Sequence, residues 1–161
     1  FTVSHLGFST MHGRFDSTGG KIVLDRAARI GSVEITIDAA SITTGDARRP
    51  DGNRSRDEHL RSPDFFNVAE FPKITFKSTR VNFKGNDVTS VEGNLTLTGV
   101  SRPVTLAVTH SKCGQNPLNK KEMCGADAVG QIKRSDFGMK YALPAVGDDL
   151  KLTFEIEAYK D

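Results

Sequence analysis

The stretch Arg56-Asp-Glu-His-Leu-Arg-Ser-Pro-Asp-Phe-Phe66 combines a short helical pattern with two adjacent aromatic residues, and the alternating segment Phe71-Pro-Lys-Ile-Thr-Phe-Lys-Ser78 follows it. Ser55 and Glu58 have the spacing of a capping box, so we expect a helix to begin directly after Ser55. The alternation that follows is typical of a β-strand. The sequence therefore predicts a helical cap, inserted over about residues 39–72, in a chain that otherwise forms strands.

Strand-like alternation recurs along most of the chain. In the clearest case Val33, Ile35 and Ile37 share one face, and polar residues occupy the other. Gly7 and Gly13 suggest that the first strand is long and bent. A break of phase before Val81 and Phe83 suggests a β-bulge. The predicted strands, about eight in number, lie at residues 1–15, 22–24, 33–37, 74–83, 91–97, 104–108, 126–134 and 150–156, with a turn at 99–103.

A sheet of this length with one apolar face must fold on itself. An antiparallel β-barrel removes exposed strand edges, so the barrel is the preferred prediction and a two-sheet sandwich is the alternative. The 161 residues suit one domain, spanning 1–161. The net charge of +2 is too small to predict a nucleic-acid partner, and no apolar run has the length of a membrane helix.

The opening residues Phe1-Thr-Val-Ser-His5 start within a strand pattern and without Met, so we expect an N-terminal segment, such as a removed signal peptide, to precede them. Cys113 and Cys124 flank a polar loop that contains turn-forming residues. A metal site is disfavoured because a second pair of ligands is missing nearby. A disulfide is the preferred interpretation and implies an oxidising compartment, with two free cytosolic thiols as the alternative.

Few residues suggest catalysis. Asp57, Glu58 and His59 are adjacent, but neighbouring residues of a helix point in different directions. We therefore expect His59, with Arg56 and Asp57, to order the cap. Nucleophile elbows, phosphate-binding loops and metal-ligand spacings are not evident in the sequence.

A second marked segment is Arg134-Ser-Asp-Phe-Gly138. Ser135 can cap a short helix near residues 135–138, Gly138 can end that helix in a left-handed conformation, and Phe137 can anchor it. Arg134 has the length to pair with a carboxylate beneath the cap.

These segments resemble the YceI-like family, whose members are lipocalin-like polyisoprenoid-binding proteins, many of them periplasmic. The resemblance also covers His5-Leu-Gly7 with Gly13-Arg-Phe15, Ser41-Ile-Thr-Thr-Gly45 and Gly93-Asn-Leu-Thr-Leu-Thr-Gly-Val100, in the same order along nearly the whole chain. It implies an all-β fold, an eight-stranded antiparallel lipocalin-like β-barrel around an apolar tunnel. It implies a bound isoprenoid, such as the respiratory quinone ubiquinone-8, and neither catalysis nor a metal. The segment 47–53 and the cysteine loop depart from the family pattern.

The resulting hypothesis is a periplasmic or secreted protein that sequesters or transports a polyisoprenoid quinone. A fatty acid or fatty amide binder is the first alternative, and a lipid-modifying enzyme with His59 or His5 as its base is the second. A transient membrane or membrane-protein contact and a homodimer are further expectations. The predicted ligand-binding residues are Val33, Ile35, Ile37, Leu60, Phe65, Phe66, Ile74, Phe76, Val91, Leu95, Leu97, Val104, Leu106, Ile132, Phe137, Leu152 and Phe154.

Overall fold

The chain forms an all-β barrel, seen in a computed structural model that describes residues 1–48 and 51–160. Nine strands make one antiparallel sheet in the order β2-β1-β11-β10-β9-β8-β7-β5-β4, and β3 pairs with β6 in a separate ribbon. The strands are β1 (Thr2–His5), β2 (Ser9–His12), β3 (Arg14–Phe15), β4 (Thr18–Asp25), β5 (Ile30–Asp38), β6 (Ile42–Thr43), β7 (Lys73–Lys84), β8 (Asp87–Leu97), β9 (Val100–Gln115), β10 (Glu122–Lys133) and β11 (Val146–Tyr159).

The sheet curls because its two edge strands lie close together in the chain. Strands β2 and β4 lie at opposite ends of the strand order, yet only residues 13–17, which include the short β3, separate them in the chain. A connection of this length spans at most about 20 Å, so the two edges must lie near each other. The preferred barrel is thus confirmed.

The first strand was predicted wrongly. The structure shows a β1–β2 hairpin instead of one bent strand, with Thr2 opposite His12 and His5 opposite Ser9. Leu6 and Gly7 reverse the chain with φ values of 55° and 71°. This reversal adds one strand to the eight that were expected.

The apolar face of each predicted strand points inward. Val33, Ile35, Ile74, Phe76, Val91, Leu95, Leu97 and Leu106 belong to one buried hydrophobic cluster. The bulge predicted in β7 is present, because the register with β8 shifts between Ser78 and Arg80.

Two strand boundaries differ from the prediction. Thr98 and Gly99 alone make the β8–β9 turn, both with positive φ, so residues 100–103 belong to β9; and β10 begins at Glu122 rather than at residue 126.

The described residues of the cap form one α-helix, α1 (Arg56–Arg61), and a 3-10 turn at Ala39–Ser41. The capping box between Ser55 and Glu58 is present as predicted. Arg61 fastens the helix to the barrel, because its guanidinium donates hydrogen bonds to the carbonyls of Ala40 (2.8 Å) and Ile42 (2.9 Å). The helices of the described residues are too short to span a bilayer. Of the unusual segment 47–53, residues 49 and 50 lie outside the described part of the chain.

Two predictions about the second short helix were wrong. The segment forms a 3-10 turn, Arg134–Phe137, but Ser135 does not cap it. The Ser135 amide and hydroxyl instead donate hydrogen bonds to the Asp148 carboxylate, at 2.8 and 2.7 Å. The Arg134 guanidinium donates to the carbonyls of Met139, Val146 and Gly147 instead of pairing with a carboxylate. Gly138 is left-handed and Phe137 is buried, as predicted.

Candidate ligand-binding cavity

The two ends of the barrel differ in construction. Because consecutive strands are antiparallel, the turns at 26–29, 85–86 and 116–121 gather at one end together with the end of β11. We call this the disulfide end, because Cys113 and Cys124 lie there. The opposite end, which carries α1 and both 3-10 turns, is the cap end.

A cavity of about 530 Å³ occupies the disulfide half of the barrel. Its walls come from seven of the strands and are largely apolar. They include Ile22, Leu24, Val33, Ile35, Val81, Val88, Val91, Leu106, Val108, Ala126, Ala128, Phe154 and Ile156. The volume lies within the range of about 300–1,000 Å³ that is usual for small-molecule sites.

Small residues opposite large ones leave this space open. Ala128 of β10 pairs directly with Phe154 of β11 and contributes only a methyl group to the wall. Gly130 lies two residues beyond Ala128 on β10, toward the cap end. A Cβ atom at this position would lie 2.8 Å from the Leu106 side chain, so the glycine lets Leu106 pack there. The cavity therefore ends where larger side chains meet.

The cap half of the interior is filled by the protein's own side chains. Phe76, Leu95 and Leu97 are 4–6% exposed and pack in the hydrophobic core. At the cap end, Phe66 packs against Phe1 and Phe15, with ring centroids 6.5 and 5.5 Å apart. The interior is therefore a cavity in one half of the barrel, and the described residues do not form the expected continuous tunnel.

The structure brings some of the predicted residues to the cavity and places the others elsewhere. Val33, Ile35, Val91, Leu106 and Phe154 line it. Val104, Ile132 and Phe137 border a smaller pocket of about 280 Å³, which Arg102, Lys133, Asp136 and Asp149 make highly charged. The remaining predicted residues pack in or against the core, namely Ile37, Leu60, Phe65, Phe66, Ile74, Phe76, Leu95, Leu97 and Leu152.

Sequence reasoning missed several wall residues for two different reasons. Ile22, Leu24, Val108 and Ile156 have the same alternation as their predicted neighbours and could have been included. Ser111 and Cys113 could not, because an extra residue at Thr109 shifts the register between β9 and β10. That bulge reverses the inward face, so Ser111 faces the cavity where unbroken alternation would place His110.

Polar groups are concentrated at the mouth of the cavity. Cys113 and Cys124 stand opposite each other on β9 and β10 and form the predicted disulfide, with Cα atoms 4.0 Å apart. The Arg26 guanidinium donates a hydrogen bond of 2.9 Å to the Cys113 sulfur. Lys160 pairs with Glu122 at 3.3 Å. The mouth is thus polar and the interior apolar.

The histidine considered for catalysis lies at the other end. His59 Nε2 lies 2.7 Å from Asp64 Oδ2, and its ring packs edge-on against Phe65 and Tyr141. Its partner is therefore Asp64, because the chain folds back after the helix, while Arg56 contacts Asp46 and Asp57 accepts a hydrogen bond from Thr44 within the cap. Over residues 1–48 and 51–160, no group of three His, Cys, Asp or Glu side chains is arranged to hold a metal ion.

A curled antiparallel barrel with an apolar interior cavity and a polar mouth defines the general class of lipocalin-like proteins. The sequence model of the YceI-like domain matches residues 1–158. Protein YceI of Salmonella arizonae and that of Salmonella enteritidis are each 36% identical over 158 residues, which cover 98% of this chain and 78% of theirs. The chain belongs to the YceI-like family.

Solved structures agree with this assignment. The Campylobacter jejuni YceI protein superposes with a TM-score of 0.78 at 30% identity, covering all of this chain and 91% of that one. Burkholderia cenocepacia BcnA superposes with a TM-score of 0.78 at 27% identity, and the match covers 98% of this chain and 93% of the BcnA chain.

Proposed function

We propose that the protein binds an isoprenoid lipid in the disulfide-end cavity and sequesters or transports it, with a polyprenyl quinone such as ubiquinone-8 as the preferred ligand. The observation that carries this proposal is the cavity itself, which is aliphatic inside and has its polar groups at the mouth. A prenyl tail exposes only apolar surface, and its burial contributes about 0.8 kcal/mol for each CH₂ group. Such a ligand needs no charged group deep in the barrel.

The cavity volume bears on how a long tail would be held. A tail of eight prenyl units is large for about 530 Å³. A bound ubiquinone-8 would therefore extend through the mouth or displace the side chains of Phe76 and Leu95 in the cap half. In either arrangement the protein acts by binding, and we assign it no chemical step.

We also propose that the chain functions as one barrel domain with residues 39–72 as its cap.

The family and the disulfide support a periplasmic or secreted location. A disulfide that joins adjacent strands persists in an oxidising compartment, where thiol-reducing systems are absent. Contact with a membrane, contact with a membrane protein and homodimerisation stay predictions.

The test is organic extraction of the protein, purified after periplasmic expression, followed by mass spectrometry. We expect an isoprenoid, and Phe154→Asp should lose it because a carboxylate in the apolar wall costs several kcal/mol or must be protonated. Thr153→Asp is the matched control, since Thr153 is exposed on the outer face of the same strand and its variant should retain the lipid. Extraction of a fatty acid or amide instead would favour the first alternative, and an empty wild-type barrel that binds no added quinone would refute the proposal.

A further inference from the structure

The mouth of the cavity contains an arginine whose hydrogen-bonding capacity is barely used. Arg26 lies in the β4–β5 turn, is half-buried and lines the cavity. Among the residues that the structure describes, its one hydrogen bond goes to the sulfur of Cys113, 2.9 Å away. A guanidinium carries five N–H donors, and a cysteine sulfur is a weak acceptor. Most of the donors of Arg26 are therefore available to a ligand.

No carboxylate of the described residues 1–48 and 51–160 forms an ion pair with this guanidinium. The acidic residue in the cavity lining, Glu122, is paired with Lys160. An arginine at the edge of an apolar cavity is far more favourable when an acceptor oxygen meets it, and an oxyanion can do so with two parallel hydrogen bonds.

Arg26 also reaches across the mouth. Strands β7 and β8 separate the β4–β5 hairpin from β9 in the sheet, so the contact with Cys113 joins distant parts of the wall. A ligand whose tail fills the cavity would leave its head group beside this side chain.

We propose that Arg26 binds the head group of the lipid and makes the protein selective for head groups that present acceptor oxygens. This inference rests on the proposed function and adds the chemistry of the head group to it. A carboxylate, a phosphate and a quinone carbonyl share the required acceptor, and the two anions interact more strongly with the guanidinium than the neutral carbonyl does.

Equilibrium binding of three probes to the delipidated full chain separates these ligands. Hexadecanoate carries an anionic acceptor, decyl-ubiquinone carries neutral carbonyl acceptors, and hexadecylammonium has the same chain as hexadecanoate with a cationic head. Arg26→Gln should weaken hexadecanoate binding by about tenfold or more, weaken decyl-ubiquinone less, and leave hexadecylammonium unchanged or tighter.

Arg29→Gln is the matched control, because Arg29 is an exposed arginine in the same turn and does not line the cavity. It should leave all three affinities unchanged. Arg26→Lys keeps the charge and should recover part of the hexadecanoate affinity, which also covers the case in which Arg26→Gln folds poorly.

Three outcomes would overturn the inference. Unchanged hexadecanoate and decyl-ubiquinone affinities in Arg26→Gln would show that the head group does not meet Arg26. Equal weakening of all three probes would show that Arg26 supports the barrel and does not select a head group. If the wild-type protein binds none of the probes, the proposed function fails as well, so the two failures are distinguishable.

Discussion

Arg134 is a charged residue that is only 2% exposed, and three carbonyl groups account for its burial. Its guanidinium donates to Gly147, Met139 and Val146 at 2.8 to 3.0 Å. Burial lowers the pKa of the guanidinium, and the nearby Asp148 carboxylate partly opposes that shift. One carbonyl follows the 3-10 turn and the other two lie at the start of β11, so this one side chain ties together the two ends of the connection between them.

We predict that Arg134→Lys lowers the free energy of unfolding by about 3 kcal/mol. A lysine cannot serve three carbonyls in the geometry of the guanidinium fork, and each lost hydrogen bond to a charged group is worth about 1.5–3 kcal/mol. Urea denaturation measures the change. Arg102→Lys is the control, because exposed Arg102 makes a single bond to the Asp136 carbonyl, at 3.1 Å, and its replacement should cost less than about 0.5 kcal/mol. Equal losses for the two variants would contradict this account.

At the scale of elements, the 3-10 turn at Arg134–Phe137 is attached to the start of β11 through Ser135 and Asp148. Two hydrogen bonds lower the pKa of the Asp148 carboxyl because both favour its ionised form. The bond from the Ser135 hydroxyl has the larger effect and the bond from the Ser135 amide the smaller. A carboxyl whose pKa is depressed by folding stabilises the protein above the pKa of the unfolded chain, about 3.9 for aspartate. That contribution is lost as the pH falls through the lower, folded-state pKa.

We therefore predict that Asp148→Asn destabilises the protein at neutral pH and that the difference from wild type shrinks below about pH 4. Free energies of unfolding measured for both proteins across the acidic range provide the test. Asp149→Asn is a suitable control, since Asp149 is exposed on the adjacent position and should show a much smaller difference. If Asp148→Asn lowers the free energy of unfolding by the same amount at every pH, the charge of Asp148 is not involved.

At the scale of the whole molecule, the disulfide belongs to the half of the barrel that contains the cavity. That half cannot rely on a filled core, since its interior is open, whereas the cap half is packed with side chains. The cross-link holds β9 to β10 beside the mouth, where the β9–β10 loop begins. A disulfide between cysteines 11 residues apart limits the unfolded chain and raises the free energy of unfolding by about 3 kcal/mol.

We predict that replacing both cysteines by alanine lowers the free energy of unfolding by about 3 kcal/mol while the cap end remains folded. Urea denaturation gives the loss, and hydrogen exchange shows whether it is concentrated in β9 and β10. Mass measurement with and without reductant checks the bridge itself. Two thiols that can be alkylated in the native periplasmic protein would contradict its presence in the cell.

Sequence patterns alone were enough to predict the barrel class, the inward faces of most strands, the capped helix α1 and the pairing of Cys113 with Cys124. These features depend on local patterns: a period of two, a capping box, and two cysteines around one loop. Local patterns failed where the backbone departs from its regular period. The reversal at Leu6 and Gly7 and the extra residue at Thr109 change which strands exist and which face points inward.

The position of the open part of the interior becomes evident only in the folded protein. Phe76 and Phe154 have the same pattern in the sequence, yet Phe76 is packed in the core and Phe154 faces the cavity. The difference arises from side chains on other strands: Ala126 and Ala128 of β10 leave space beside Phe154, while Leu95 and Leu97 of β8 help to fill the cap half. The same holds for Arg26, since its position against Cys113 depends on curvature that brings non-adjacent strands together. Whether an apolar face becomes core or cavity depends on the combined volume of side chains from distant strands, which no local pattern contains.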